Sequence, residues 1–305
     1  MTSLPLAAAT IAASLGSAPA AFAWWDQGHM QIAALAYEQL DPAVRATADR
    51  LIELNPEYAA WTAGVPDDQK AEAAFVRAAV WADDIKSDPD YTRDTVEAPT
   101  AARNVGYADH LVHDYWHYID LPFSTDETPV HSPDTPNALT QIQLLTTTLA
   151  SDASDDLKSY DLVWLLHLVA DLHQPLHATS RFTNGLGDDR GGNDEVVQPT
   201  EGESMKLHAY WDSLLGDDTT PAKAIAASHD LPTPDTTEAG VSIPSLWIIE
   251  SFTIAQNEVY TGLIGPGAGP FNLTKDYEAH ALTTARERAA LAGARLAHLL
   301  NAVLR

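Results

Sequence analysis

The stretch from Asp161 to His177 most restricts what this chain can fold into. It reads DLVWLLHLVADLHQPLH, so apolar residues surround His167 and Asp171 almost completely. Residues four apart share one face of a helix, and a helix that is apolar on its other faces is buried. A buried carboxylate needs a cation, a hydrogen-bond donor or a metal. This pattern alone leaves open a metal site or a simple His–Asp pair in the core.

A second pair with the same spacing, His208 and Asp212, lies among aromatic residues on another predicted helix. Pro175 is expected to end the first helix before His177, which leaves that imidazole free to turn towards a shared centre. The candidate metal ligands are His29, Asp83, His117, His167, Asp171, His177, His208 and Asp212. The chain has no cysteine. Nitrogen and oxygen donors without sulfur favour catalytic zinc with open coordination positions.

Helical spacing of apolar residues recurs along the chain, whereas strand-like alternation is scarce, so we predict an all-α fold. The predicted helices are Gln31–Leu54, Asp67–Ile85, Thr135–Ala150, Asp161–His173, Ser204–Leu215, Trp247–Gly262 and Tyr277–Leu304. Polar stretches rich in Gly, Pro and Asp, Ser87–Asn104 and Ala178–Asn193, are predicted loops. No linker divides the chain, which predicts a single domain over residues 24–305.

The first 23 residues, Met1–Ala23, contain no charged side chain and end in Ala21-Phe22-Ala23. This ending matches an A-x-A cleavage site, so residues 1–23 are predicted to be a signal peptide, although the usual initial Lys or Arg is missing. The segment is too rich in Ala and Ser for a membrane span. We therefore expect a secreted or periplasmic protein without a membrane partner.

The formal net charge is −26, from 43 acidic and 17 basic residues, and the basic residues form no cluster. This distribution argues against a polyanion held by Lys and Arg. Bound metal ions, however, place positive charge inside an acidic protein, and a phosphodiester then binds to metal.

The order of these motifs resembles the zinc-dependent nuclease family of nuclease S-one and nuclease P-one. The resemblance covers most of the chain after residue 23. The motifs that carry it are Trp24…Gly28-His29, Trp81-Ala82-Asp83, His117-Tyr118-Ile119-Asp120, His167…Asp171…Gln174-Pro175-Leu176-His177, Gly191-Gly192-Asn193 and His208…Trp211-Asp212.

The resemblance implies an all-α fold with three zinc ions at the bottom of a cleft. It assigns Asp83, His117 and His167 to one ion, with Asp171 bridging to a second. That second ion is also held by His29 and by the amino group and carbonyl of Trp24, the residue that follows the predicted cleavage site. The third ion is assigned to His177, His208 and Asp212.

The activity implied is hydrolysis of single-stranded RNA and DNA, and of nucleotides, to products with 5′ phosphates, with 3′-nucleotidase activity as a further expectation. Water activated by metal attacks phosphorus, and Asp83 orients it. Tyr118 matches the family's base-stacking position and Asp120 the position that hydrogen-bonds a base edge. Asn193 is a further expected substrate-binding residue. No stable protein partner is implied.

Some residues depart from the family pattern or lie outside it. The loop from His177 to Gly191 is long, so the second wall of the base pocket is unassigned, with Arg190 as a candidate. His110 and His113 share a helical face with His117, but only His117 matches the motif, and we interpret the other two as surface residues. His173 lies two residues after Asp171, on another helix face, and is not expected to be a ligand.

Two alternatives stay open at the level of sequence. A related zinc phospholipase C has a similar centre, but its branch is understood to carry Glu where this chain has Asp212. A secreted protein could also use zinc only for stability in a chain without cysteine.

Overall fold

The structure, a computed structural model, describes residues 24–305, so the predicted signal peptide lies outside the described residues. The α-helices of the described chain are α1 (Asp26–Glu38), α2 (Pro42–Ile52), α3 (Tyr58–Trp61), α4 (Lys70–Ala78), α5 (Trp81–Asp84), α6 (Ala138–Leu149), α7 (Asp155–Asp171), α8 (Leu207–Ser213), α9 (Pro221–Ser228), α10 (Thr236–Ala239), α11 (Pro244–Ile254) and α12 (Lys275–Val303). Three short 3₁₀ turns cover Gly106–Asp109, Asp114–Trp116 and Pro175–Ala178. The predicted all-α class is confirmed.

The strands within residues 24–305 are short and form two small sheets. The strands are β1 (Pro122–Ser124), β2 (Ser180–Thr183), β3 (Gly187–Asp188), β4 (Val196–Gln198), β5 (Met205–Lys206) and β6 (Phe271–Asn272). One sheet has the order β1-β2-β3, with β1 parallel to β2, and the other has the order β5-β4-β6. The prediction of a plain loop over Ala178–Asn193 was therefore wrong. Strands of two to four residues are too short to show an alternating pattern.

Helix α7 lies at the centre of the fold, and its burial was predicted by the apolar run from Asp161. Its residues from Ser159 to Asp171 are all buried, and it packs against α1, α2, α5, α6 and α12. The helix begins at Asp155, six residues before the predicted start, because the Ser154 side chain accepts a hydrogen bond from the Leu157 backbone amide. Such a cap satisfies an amide at the helix start that has no partner within the helix.

Several predicted helices are divided in the structure. The predicted Gln31–Leu54 helix is two helices, because Pro42 begins α2 and the preceding Asp41 has extended backbone. The predicted Asp67–Ile85 helix breaks between α4 and α5. The predicted Ser204–Leu215 helix begins only at Leu207, after the strand β5. The predicted Trp247–Gly262 helix begins at Pro244 and ends in a π-helical turn over Ala255–Val259.

Within residues 24–305, no helix combines the length and the apolar character that crossing a bilayer requires.

Candidate metal centre

The helix α7 presents His167 and Asp171 one turn apart, and both side chains are completely buried. His167 Nδ1 donates a hydrogen bond to the carbonyl oxygen of Ala79 at 2.7 Å. The break between α4 and α5 leaves this carbonyl available. The bond fixes the tautomer, so that His167 Nε2 faces the interior as a lone-pair donor.

The helix α1 brings His29 onto the same centre. Its ring stacks on His167 with centroids 3.9 Å apart, and its Nε2 lies 3.3 Å from Asp171 Oδ1. Trp24 is buried beside it, and its indole nitrogen donates to Ala170 O at 3.1 Å. A Cβ atom on Gly28 would lie 2.7 Å from Trp24 Cβ, so a glycine is needed for this close approach.

A second group consists of Asp83, His117 and His167. His117 Nδ1 lies 3.1 Å from Asp171 Oδ2 and 2.9 Å from His167 Nε2. Asp83 Oδ1 lies 3.7 Å from His167 Nε2 and 3.8 Å from His117 Nδ1. The two oxygens of Asp171 thus face different histidines: Oδ1 faces His29, and Oδ2 faces His117 and His167.

Lys86 is a residue that the sequence interpretation missed. Its Nζ lies 2.6 Å from Asp83 Oδ1, and both side chains are only 4% exposed. The i,i+3 spacing after Asp83 was the available signal. A buried ammonium therefore adds positive charge to the centre without contributing a metal ligand.

The third group, His177, His208 and Asp212, lies between the 3₁₀ turn at Pro175–Ala178 and α8. His208 Nε2 lies 3.0 Å from His177 Nε2 and 3.7 Å from Asp212 Oδ2. The Gln174 side chain donates to Asp212 Oδ1 at 2.7 Å, which leaves Asp212 Oδ2 buried and without a hydrogen bond. The helix α7 ends at Asp171, so this turn carries His177 in a direction that a continued helix would not allow.

The facing Nε2 atoms of His177 and His208 show whether the third group suits a cation. His177 Nδ1 donates to His117 O at 2.8 Å, and His208 Nδ1 donates to Gly191 O at 2.7 Å. A neutral imidazole carries one N–H, so both Nε2 atoms present lone pairs to each other at 3.0 Å. Two lone pairs at this distance repel unless a cation or a proton lies between them. The donor set fits a metal ion.

Burial disfavours a proton between these two nitrogens. It lowers the pKa of His208 to about 4 and holds the pKa of His177 well below its ordinary value, with the neighbouring His208 lowering the latter further. Burial likewise raises the pKa of Asp171 and of Asp212 well above the ordinary range. Ionised carboxylates therefore require a compensating positive charge here.

The eight side chains that the sequence predicted as ligands are thus all brought together in three groups. The groups are His29–His167–Asp171, Asp83–His117–His167 and His177–His208–Asp212, and within each the ligand atoms lie within 4.8 Å of one another. His167 belongs to two groups. Buried atoms without a hydrogen-bond partner include His29 Nε2, His117 Nε2 and Asp171 Oδ1.

A pocket adjoins the centre at Tyr118 and Asp120. The amide of the intervening Ile119 donates to His177 O at 2.8 Å, which ties the pocket wall to the third group. Tyr118 is 38% exposed, and Phe182 lines the pocket with it. Burial, with Asp188, Asp189 and Asp134 nearby, raises the pKa of Asp120 to about 7.

The other predicted substrate residues lie on the turn that follows. Asn193 is half-buried there, and its side chain donates to Arg190 O at 2.8 Å. Arg190 is exposed, pairs with Asp194 and does not line the pocket at Tyr118. Phe182, from the predicted loop, lines it instead.

His113 is completely buried, so its interpretation as a surface residue was wrong. Its Nδ1 lies 2.9 Å from Asp94 Oδ2, its Nε2 lies 3.0 Å from Asp109 Oδ2, and its ring stacks on Trp116 at 3.8 Å. These carboxylates stabilise the buried imidazole. His110 is exposed, as predicted.

His173 belongs to none of the three groups. Its Nδ1 donates to Val169 O at 2.7 Å, so its Nε2 accepts from Arg295 at 3.0 Å. Both ring nitrogens are therefore occupied by bonds to the protein.

A family model described as S1/P1 Nuclease matches residues 24–305, whereas no curated protein sequence matches the chain. The match covers nearly the whole chain and includes every residue of the three groups. The chain belongs to the S1/P1 nuclease family. It is a nuclease, a hydrolase that cleaves phosphodiester bonds of nucleic acid. The family match favours a nuclease over the phospholipase alternative.

Proposed function

We propose that the chain is a secreted or periplasmic endonuclease that holds three zinc ions and cleaves single-stranded RNA and DNA. One observation carries the proposal. The Nε2 atoms of His177 and His208 face each other at 3.0 Å, each with its lone pair exposed, because each Nδ1 donates to a backbone carbonyl. Nitrogen and carboxylate donors without sulfur suit zinc that keeps an open position for substrate.

One ion would be held by Asp83, His117 and His167, and another by His177, His208 and Asp212. Asp171 would bridge the first of these ions to the ion beside His29. Its Oδ1 faces His29, whereas its Oδ2 faces His117 and His167. His29 offers only one further side-chain ligand there. The amino group and carbonyl of Trp24 complete this position if residues 1–23 are removed.

When bound, zinc lowers the pKa of coordinated water and stabilises the negative charge that develops on phosphoryl oxygens. The residues of the chain supply the rest of the reaction. Asp83 accepts a hydrogen bond from the attacking water and so directs it towards phosphorus. Lys86 lies within 2.6 Å of Asp83 and places a fixed cation where the phosphate charge accumulates. The products are expected to carry 5′ phosphates, with 3′-nucleotidase activity from the same centre.

The pocket at Tyr118 explains a requirement for single strands. Tyr118 is adjacent in sequence to His117, so a base stacked on its ring keeps the neighbouring phosphate close to the centre. Asp120 would hydrogen-bond the base edge, and Asn193 would contact the sugar-phosphate. A duplex must first unstack and unpair a base, which costs a few kcal/mol. A single strand avoids this cost, and stacking on an aromatic ring then stabilises the bound base by about 1–3 kcal/mol.

The test is metal analysis of the protein combined with timed hydrolysis of a single-stranded oligonucleotide, its duplex and a short-chain phosphatidylcholine. We expect three zinc ions per chain and hydrolysis of the single strand far faster than of the duplex. The Tyr118→Ala variant should keep its zinc and lose most of this rate. Equal rates on single strand and duplex, or turnover of lipid alone, would contradict the proposal.

The same experiment addresses the remaining alternative, a zinc-stabilised protein without catalysis. That alternative predicts bound zinc and no hydrolysis of any of the three substrates.

A further inference from the structure

The turn from Asp189 to Glu195 has an unusual backbone. Three successive residues, Arg190, Gly191 and Gly192, have φ angles of 53°, 62° and 78°. The left-handed region is disfavoured for a residue with a side chain such as Arg190. A turn of this kind persists only where its surroundings hold it.

The turn contacts the third metal group through two carbonyls. Gly191 O accepts from His208 Nδ1 at 2.7 Å, and Gly192 O accepts from the His208 amide at 3.2 Å. A Cβ atom on Gly191 would lie 2.5 Å from Leu176 O, next to His177. The turn therefore fixes both the ring and the backbone of His208 and packs against the segment that carries His177.

Asp189 holds the first end of the turn. Its Oδ1 accepts from the Arg181 amide at 2.8 Å, and its Oδ2 accepts from the Tyr260 hydroxyl at 2.6 Å. Its backbone carbonyl accepts from the Asn193 amide at 2.9 Å, which closes the turn. Asp189 is 5% exposed, so water competes little with these bonds.

Arg181 holds the second end. Its Nη2 donates to Glu195 Oε1 at 2.6 Å and to Gly265 O at 2.7 Å, and its Nη1 donates to Ile264 O at 2.9 Å. The guanidinium also lies 4.5 Å from the centroid of the Tyr260 ring. A planar guanidinium satisfies these acceptors together, which an ammonium does not.

We propose that the buried cluster of Arg181, Asp189, Glu195 and Tyr260 is a positioning device for the third metal site. It holds the left-handed turn in place, and the turn holds the His208 ring so that Nε2 faces His177. The inference rests on the proposed function, because it assumes that His177, His208 and Asp212 bind zinc. It adds that residues which do not touch the metal-ligating atoms, Tyr260 among them, set the zinc affinity of this third site and of no other.

The effect is confined to one metal site because the other histidine rings are oriented by groups outside the turn. His167 is oriented by Ala79 O, and His177 by His117 O, and neither carbonyl belongs to the turn. Loss of the Tyr260 hydroxyl removes the donor to Asp189 Oδ2 and leaves the aromatic packing in place. The turn then relaxes, and only His208 loses its orientation.

The test compares Tyr260→Phe with Tyr107→Phe in the full chain, by zinc titration against a competing chelator. Tyr107 is a matched control, because its hydroxyl bonds to Ser159 and Asn55 at 2.9 Å and not to the turn. We expect wild type and Tyr107→Phe to bind three zinc ions with equal affinities. In Tyr260→Phe one of the three should bind about 10–100-fold more weakly, the range found when such supporting partners of metal ligands are changed.

The Arg181→Lys variant extends the test, since it keeps the charge but lacks the planar fork. It should weaken the same single site, with circular dichroism of the metal-free protein reporting whether each variant is folded. Wild-type affinity at all three sites in Tyr260→Phe, or equal weakening of all three, would overturn the inference alone. A wild-type chain that binds no zinc would overturn the proposed function and this inference with it.

Discussion

Lys86 illustrates how one buried side chain changes the electrostatics of the whole centre. Its ammonium lowers the pKa of His29 and of His117, in addition to the larger effect of burial. The histidines are therefore kept neutral, which is the form that binds metal. Under the proposed function the same ammonium would also attract the phosphate of the substrate.

His177 belongs to a metal group and His173 does not, which predicts different effects of replacing each. We expect His177→Ala and Asp212→Ala each to lose one zinc ion of three and most of the activity, because only three side chains form that group. His173→Ala should keep all three ions. It should be less stable by about 1–3 kcal/mol, because the Arg295 donor loses a buried acceptor.

Zinc counts by mass spectrometry and thermal unfolding distinguish these outcomes. Loss of zinc in His173→Ala as complete as in His177→Ala would show that the division between ligand and core histidine is wrong.

Asp120 gives a prediction of pH dependence. Its pKa is raised to about 7 by burial and by Asp188, Asp189 and Asp134, and Tyr118 and His131 also line its pocket. Below that pH the carboxyl is neutral and offers one donor and one acceptor, which match adenine or cytosine. Above it the carboxylate offers two acceptors, which match the adjacent N–H groups of guanine.

The ratio of kcat/KM for guanine-containing to adenine-containing dinucleotides should therefore rise as pH increases through about 7. Dinucleotides with the varied base on either side of the phosphate cover both binding registers. Asp120→Asn should give a flat ratio, since its amide does not titrate. A ratio that rises equally in Asp120→Asn would assign the titration to another group.

At the level of helices, local pattern predicted the elements and tertiary contacts decided their ends. The apolar run after Asp161 was sufficient to predict that α7 is buried and to place His167 and Asp171 on one face. The break before Pro42 was also present in the sequence, as a proline that begins a helix. The buried position of His113 depends on Asp94, distant in sequence, although the i,i+4 pair with Asp109 was a local signal.

The second wall of the pocket at Tyr118 and the cluster of Arg181, Asp189, Glu195 and Tyr260 were not predictable from local pattern. Phe182 reaches the pocket because β2 pairs with β1, and Arg181 meets residues 264 and 265 only in the folded chain. Contacts between residues so far apart in sequence leave no periodic pattern.

The packing of α1 on α12 gives a prediction at the level of elements. A Cβ atom on Gly293 would lie 2.7 Å from Leu35 Cβ and 3.1 Å from Ile32 O, so α12 approaches α1 closely at this glycine. Gly293→Val should lower the free energy of unfolding by about 1–3 kcal/mol through overpacking. Gly262 has no atom within 4 Å of its added Cβ, so Gly262→Val is the matched control.

Denaturant unfolding of the metal-free proteins measures the difference. Equal midpoints for the two variants would show that α12 does not approach α1 this closely at Gly293.

For the molecule as a whole, removal of residues 1–23 is proposed to complete the metal centre. Trp24 is buried against Gly28, five residues before His29, and its free amino group is the proposed ligand. A chain produced with an additional Met before Trp24 should bind less zinc and be less active, because the new peptide bond removes that amine. The comparison is zinc content and hydrolysis rate against the processed protein. Equal values in both would contradict a role for the Trp24 amine.

The net charge of −26 also suits a substrate held mainly by metal rather than by a basic groove. Three divalent ions bound as proposed would outweigh the charge of Asp83, Asp171 and Asp212 and would make the centre positive within an acidic molecule. Binding of the phosphate group would then depend mainly on the ions.

Return of zinc to the metal-free protein, with the hydrolysis rate of a single-stranded oligonucleotide followed throughout, is the sharpest test of the proposed metal centre. Bound zinc per chain is measured on the same samples. We predict little activity until about three ions are bound, followed by recovery of the full rate, because the three groups act on one phosphate. Full activity in the metal-free protein, or with a single ion bound, would contradict the trinuclear centre.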